Sequence, residues 1–151
     1  GQESVDKVTN RVEVINQHGT VSSAETISNI TMTVRLAAGS SSVNMNTTSI
    51  KYLSDDTVTT LTNSTTQTAD GDHFSLKEVS DDDNSFGVLN SREDRYEVVL
   101  STADIESGTG GLDTGTRVQL DITSQTGGTT QVILTMPQQL AGQSTDEPVK
   151  L

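Results

Sequence analysis

The densest run of possible metal ligands in this sequence is the acidic stretch DDDNS at residues 81–85. The side chains of Asp81, Asp83 and Ser85 reproduce the D-x-D-x-[DNS] start of a calcium-binding loop, in which alternate residues converge on one hard cation. The later positions depart from that loop, because Phe86 stands where a glycine is required and no glutamate stands at the twelfth position. The sequence therefore predicts either a one-sided site for Ca²⁺ or a similar divalent cation, completed by backbone carbonyls, or a solvated acidic turn.

Three Asn-x-Ser/Thr sequons, the acceptor sequences for N-glycosylation, begin at Asn29, Asn46 and Asn63. Asn46 and Asn63 lie in polar stretches predicted to be loops, where a glycan has room. Asn29 adjoins a predicted strand, which leaves less space for a glycan. Because the chain is rich in Ser, Thr and Asn, chance alone produces some sequons, so their number is weak evidence by itself.

No residues with the spacing of a catalytic site are recognisable. The chain has no cysteine and no G-x-S-x-G sequence, and its two histidines, His18 and His73, lack the spacing of metal ligands. Asp70-Gly71-Asp72, followed by His73, is a weaker second candidate for a metal site, and a glycine-centred turn accounts for it without a metal. We therefore predict that the protein is not an enzyme.

The balance of charge limits the partners. The chain has 21 acidic and nine basic residues, which give a net charge of −12. No face can gather enough Lys and Arg to neutralise phosphates, so the composition excludes nucleic acid and disfavours an anionic membrane surface. A surface rich in carboxylates and poor in lysine is typical of soluble proteins in general and of proteins from high-salt habitats in particular.

Alternating apolar residues predict a series of short strands. The clearest are those around Ile30–Leu36, Tyr96–Leu100, Val118–Ile122 and Val132–Met136, and the last two are joined by a turn at Ser124–Gly128. Polar turns are predicted elsewhere, including one at Gln17–Thr20. Seven or eight strands with turns at intervals of roughly 8–12 residues predict an all-β fold, an immunoglobulin-like antiparallel β-sandwich, with a closed barrel as the alternative.

The first fifteen residues join two kinds of structure. Val5, Val8 and Val12 recur at helical spacing, and from Arg11 onward the apolar period changes to two. A helix this short is marginal by itself, so we predict that residues 1–10 are the end of a longer helix that precedes this chain. Residues 11–137 then form the β-sandwich, and residues 138–151 form a polar C-terminal tail.

Four segments resemble one known family. The segment QESVDKVTNRVEV at the N-terminus is similar to the junction in archaellins, the archaeal flagellins, between a long N-terminal helix and the outer β-domain, and most of all to haloarchaeal members. Phe86–Asn90 (FGVLN), Asp94–Leu100 (DRYEVVL) and the hairpin Gly115–Pro137 follow in the family's order and spacing. The stretches 54–72 and 101–114 carry no diagnostic match.

The resemblance implies a structural role. The chain is expected to be the outer domain of an archaellum filament subunit that serves swimming motility, outside the cell and not in a membrane, with other archaellin subunits as its partners. The resemblance implies N-glycosylation, which is common in archaellins, and a metal ion held in this domain, as in the archaellins that this chain resembles. Both support the three sequons and the ligand set of Asp81, Asp83 and Ser85. The alternative is an accessory, stator-type archaellum protein or a cell-surface adhesion module built on a similar sandwich.

Overall fold

The computed structural model describes residues 10–22, 25–80, 87–140 and 147–151. The helix predicted for residues 1–10 and the predicted metal ligands at 81–85 lie outside this part of the chain, except for Asn10. The strands are β1 (Val12–Val21), β2 (Ile27–Leu36), β3 (Val43–Asn44), β4 (Ser49–Leu53), β5 (Val58–Asn63), β6 (His73–Ser80), β7 (Val88–Leu89), β8 (Arg95–Leu100), β9 (Arg117–Thr123), β10 (Thr129–Thr135) and β11 (Pro148–Lys150). A 3₁₀ turn, Met45–Thr47, and one short helix, α1 (Thr102–Ile105), complete the described elements.

The predicted all-β sandwich is confirmed. Nine strands follow one another in the order β10-β9-β4-β5-β6-β8-β2-β1-β11, and β3 pairs separately with β7. The nine-stranded sheet curls into two antiparallel layers, β10-β9-β4-β5 and β6-β8-β2-β1-β11. A short parallel contact between β5 and β6 joins the layers through the backbone, and it pairs Thr62 with His73 and Asn63 with Phe74.

Strict alternation along the central strands builds the core between the layers. In β2, Ile30, Met32 and Val34 are fully buried, whereas the residues between them are half-buried on the outer face. The same pattern holds in β8 and β9, because a two-residue period puts every second side chain on one face of a sheet. Tyr52, Phe74 and Tyr96 are the largest fully buried side chains.

The turn predicted at Gln17–Thr20 is wrong. β1 continues through these residues to Val21, paired with β2 on one side and with β11 on the other. Gly19 does not make a turn here. It is buried in the strand, and a Cβ on it would lie 2.8 Å from Cγ2 of Ile27. Two flanking strands satisfy the backbone of β1, and they override the turn preference of the local sequence.

The C-terminal segment differs from the polar tail predicted for residues 138–151. Leu140 is buried in the core, and β11 pairs with β1 through His18–Lys150, Gly19–Val149 and Thr20–Pro148. A strand of three residues is too short to show alternation. Its physical role is to cover the backbone groups at the outer edge of β1, which would otherwise be exposed.

Loops gather at the two ends of the sandwich. At one end, an isolated bridge between Ile27 and Leu112 joins the start of β2 to the long loop that follows α1. At the other end, the turn between β9 and β10 approaches the start of β1: Oγ of Ser124 donates to the carbonyl oxygen of Asn10 at 2.5 Å, and Oγ1 of Thr130 donates to that of Val12. Each end therefore presents its own set of loop side chains.

Candidate functional sites

Two of the predicted glycosylation sites lie side by side. Asn46, in the 3₁₀ turn, is exposed, and Asn63, at the end of β5, is half-buried. Nδ2 of Asn63 donates to Oδ1 of Asn46 at 2.6 Å. Asn29 lies apart from them, half-buried in β2 opposite Thr20. The structure thus brings two sequons into one surface patch, although 16 residues separate them in the chain.

The stretch from Asp70 to His73 forms a closed turn. Oδ1 of Asp70 accepts from the backbone amide of Asp72 at 2.8 Å and lies 2.8 Å from Nδ1 of His73. The amide of Asp72 and then the His73 ring hold the pKa of the Asp70 carboxyl below its usual value. In the part of the chain that the structure describes, no three His, Asp or Glu side chains are grouped in a way that could hold a metal ion.

A buried polar network around Glu106 was not found by sequence reasoning. Glu106, 8% exposed in the loop after α1, receives three hydroxyl hydrogen bonds. The Tyr52 hydroxyl donates to Oε2 at 2.8 Å, Ser54 Oγ to the same oxygen at 2.6 Å, and Thr57 Oγ1 to Oε1 at 2.8 Å. The network ties the loop to the turn between β4 and β5. In a chain with 21 acidic residues, nothing local distinguishes this glutamate from the others.

The protonation of Tyr52 depends on this network. Burial raises the pKa of the Tyr52 phenol far above its usual value, and the hydrogen bond and the negative charge of Glu106 raise it further. The phenol must therefore stay protonated and act as a donor while the protein is folded. Tyr52 thereby holds β4 to the loop that carries Glu106.

Raising the pH above about 10 should destabilise the protein through Tyr52. In the unfolded chain the phenol ionises near its ordinary pKa, while the folded state keeps it protonated to higher pH. Its contribution to stability is thus complete below that pKa and is lost as the pH rises beyond it. Phenolate absorbance should report Tyr52 ionisation only together with unfolding, and Tyr52→Phe should reduce the alkaline loss. Ionisation of Tyr52 at ordinary pKa in the folded protein would contradict this account.

A groove of about 410 Å³ gathers three of the five arginines at one end of the sandwich. We call it the arginine groove; it is lined by Glu13, Leu36, Ala38, Glu93 and the three arginines, Arg35, Arg92 and Arg95. Nε of Arg35 donates to Oε1 of Glu13 at 2.6 Å, across the β1–β2 pair. These arginines come from three separate elements, so their spacing in the sequence gave no sign of the groove.

The two histidines lie in different strands, β1 and β6. His18 is half-buried in β1 opposite Thr31, and His73 begins β6 with its side chain 42% exposed. Among the described residues, no helix has the length and apolar character needed to cross a membrane. The described part of the chain is a two-layer sandwich with loops gathered at its two ends.

The sequence matches one protein family over most of its length. The family model for archaeal-type flagellin matches residues 1–133. The chain belongs to the archaeal-type flagellin family. It is 60% identical to Flagellin A2 and 50% identical to Flagellin A1 of Haloferax volcanii, over 171 and 165 aligned residues. Both alignments cover the whole of this chain and 78% of the length of the relative.

Solved structures support the fold of this flagellin. The crystal structure of archaeal flagellin FlaB1 from Methanocaldococcus jannaschii matches with a TM-score of 0.79 at 17% identity, covering 92% of this chain and 94% of that one. The archaeal flagellum of Methanospirillum hungatei gives 0.65 at 15% identity, with 99% and 76% covered. The stator protein FlaG from Sulfolobus acidocaldarius gives 0.54 at 6%, with 83% and 99% covered, so fold alone does not separate subunit from stator.

Sequence identity to flagellins separates the two classes. The chain is a structural subunit of the archaellum filament, it serves motility at the cell surface, and its partners are other archaellin subunits. The prediction of an archaellin outer domain is confirmed, and the Haloferax relatives agree with the acidic composition expected of a salt-loving organism.

Proposed function

We propose that this chain serves the filament as a passive, load-bearing wall domain without enzymatic activity. The observation that carries the proposal is the use of its buried carboxylates. Glu106 braces the long loop through three hydroxyls, and Asp94, fully buried, accepts the backbone amides of Asn90 and Ser91 at 3.0 and 3.1 Å. Both groups hold turns in place, where an enzyme would direct such groups at a substrate.

The domain boundaries follow from the same proposal. The sandwich that begins at residue 11 and includes β9 and β10 is the unit that bears load, because its two layers share one continuous core. The segment after residue 137 belongs to this unit as well, since Leu140 packs in the core and β11 lies along β1. A wall domain of this kind needs rigidity and solubility, which the buried core and the net charge of −12 supply.

Labelling of cells distinguishes this role from the alternative. Gold-labelled antibodies against the sandwich should decorate filaments along their whole length, because a wall subunit repeats at every position. A stator-type or adhesion module would be confined to the cell envelope, and that distribution would overturn the proposal. A strain without the gene supplies the control for non-specific decoration.

We also propose that the surface carries N-glycans at Asn29, Asn46 and Asn63, and that Asp81, Asp83 and Ser85 hold one Ca²⁺ or a similar divalent cation. The three sequons and the D-x-D-x-[DNS] pattern support these assignments. The two sequons at Asn46 and Asn63 share one patch, and a glycan on Asn63 would be attached to the same Nδ2 atom that donates to Asn46.

Native mass spectrometry of protein from the host should find both kinds of addition. Each occupied sequon adds one glycan mass, and Thr31→Ala, Thr48→Ala or Thr65→Ala should remove one such mass by destroying a sequon. The bound cation should disappear on chelation and in Asp81→Ala, whereas Asp121→Ala, far from the loop in sequence, should keep it. An unmodified mass with no metal would refute both assignments.

A further inference from the structure

The arginines are concentrated at one end of the sandwich, where Glu13 and Glu93 also line the groove. Four of the five arginines, Arg11, Arg35, Arg92 and Arg95 together with the whole arginine groove, lie at the end where β1 begins. The opposite end carries Arg117 but is dominated by carboxylates. Those with exposed or half-buried side chains are Glu25, Asp55, Asp56, Asp70, Asp72, Asp104 and Asp113.

The acidic end has a prominent turn. Asp55 and Asp56 are both exposed at the tip of the β4–β5 hairpin, and with Asp113 they rim a cleft of about 150 Å³. The hydroxyls of Ser54 and Thr57, on either side of the tip, are bound to buried Glu106. Glu106 therefore fixes the hairpin tip from below, and the two aspartates are presented outward on a rigid support.

The arginine groove is also held in place before any partner arrives. Arg35 is paired with Glu13, and Nη1 of Arg95 donates to the carbonyl oxygen of Asp94 at 2.9 Å. The buried Asp94 carboxylate caps the turn that carries the exposed Arg92. Two of the three guanidinium groups are thus held in place and that of Arg92 is exposed, and guanidinium groups bind carboxylates through paired hydrogen bonds.

The groove and the acidic turn of one chain cannot meet. Leu36, at one end of β2, lines the groove, and Ile27, at the other end, contacts the loop that forms the acidic cleft. Ten residues of extended strand separate the two sites by roughly 30 Å. Complementary surfaces at opposite ends of one molecule make contacts from head to tail, which build rings or open chains rather than two-fold dimers.

We propose that in the filament the arginine groove of one subunit receives the Asp55–Asp56 turn of a second copy of this chain. The inference rests on the proposed role as a wall domain, and it names the surfaces through which neighbouring wall domains dock. A groove of about 410 Å³ is in the range that accommodates small ligands, which is enough for two carboxylate side chains.

High salt favours this direct contact. At molar salt the Debye length is about 3 Å, so the repulsion between two subunits of charge −12 is screened. Only charges in contact still interact strongly, and Arg–carboxylate pairs in a shared groove are such contacts. Binding between the groove and the acidic turn should therefore be stronger at molar salt than at low salt.

Engineered cysteines in the assembled protein test the contact, and residues 1–151 contain no native cysteine that would react in their place. Filaments are assembled from a double variant that carries both Arg92→Cys and Asp56→Cys. Mild oxidation should link neighbouring chains, so a denaturing gel should show a ladder of dimers, trimers and higher multimers. Each single variant should stay monomeric, because the contact joins two different positions. Arg92→Cys with Thr129→Cys, which is exposed but lies outside the acidic end, should give no ladder.

Charge reversal provides a second measurement that does not depend on cysteines. Arg92→Glu and Asp56→Arg should each shorten filaments and slow swimming, and the double variant should restore both. Normal filaments without a ladder would overturn the docking contact and leave the wall-domain role intact. If the double variant forms filaments no longer than those of Arg92→Glu, the docking contact would also be overturned, since the two exchanged charges would not face each other. Antibody decoration confined to the envelope would instead remove the proposed function itself.

Discussion

Replacing Glu106 by alanine should lower the free energy of unfolding by about 3–5 kcal/mol. A hydrogen bond to a charged group contributes roughly 1.5–3 kcal/mol, and Glu106 receives three from hydroxyls. The loss is less than their sum, because the half-buried hydroxyls of Ser54 and Thr57 regain water. Tyr52 is fully buried, so its hydroxyl regains no water and accounts for the largest share of the lost stability.

The melting temperature of Glu106→Ala should fall by about 10 °C or more, measured by circular dichroism at molar salt. Glu106→Gln keeps the size of the side chain and one carbonyl acceptor, so it should lose only about 1–2 kcal/mol. Ser107→Ala, at the exposed neighbouring position, is the matched control and should change stability by less than about 0.5 kcal/mol. Equal melting of the alanine variants at positions 106 and 107 would show that the network does not hold the loop.

Gly111→Ala should cost about 3 kcal/mol or more, for a different reason. Gly111 has φ +140°, and a Cβ there would lie 2.4 Å from the carbonyl oxygen of Ile27. That oxygen accepts from the amide of Leu112 at 2.9 Å in the bridge that joins the long loop to β2. A methyl group must push the loop off the strand and break this bridge.

Two other glycines of the same loop separate crowding from backbone strain. Gly110 has φ +73° with open space around it, so Gly110→Ala should cost only about 1 kcal/mol. Gly108 has open space and no positive φ, so Gly108→Ala should be neutral or slightly stabilising. In urea unfolding, Gly111→Ala should lose the most stability, Gly110→Ala should lose less, and Gly108→Ala should lose the least. A similar loss of stability in all three variants would mean that the close approach to Ile27 does not determine the effect of the added methyl group.

The sequence predicted the parts of the fold that depend on local alternation. β2, β8 and the β9–β10 hairpin were recognisable because every second residue faces a core, and the turn at Ser124–Gly128 contains Gly127 at φ +94°. The course of β1 and the existence of β11 were not, since both depend on partners distant in the chain. The parallel contact between β5 and β6 likewise involves no pattern within either strand.

The candidate sites divide in the same way. Sequons are local, so Asn29, Asn46 and Asn63 could be named directly, but the hydrogen bond between Asn46 and Asn63 needed the tertiary structure. The arginine groove combines side chains from β2, β8 and the turn before β8, and the Glu106 network joins residues about 50 positions apart. Sites of this kind arise from the packing of strands, for which a single sequence carries no local signal.

The attachment of β1 at its two sides has a mechanical consequence. A pull along residues 10–12 runs parallel to β1, so it loads the backbone pairs with β2 simultaneously rather than one after another. The hydroxyls of Ser124 and Thr130 pass part of the same pull to the hairpin of the opposite layer. A force that reaches the domain through this strand is therefore divided between both layers.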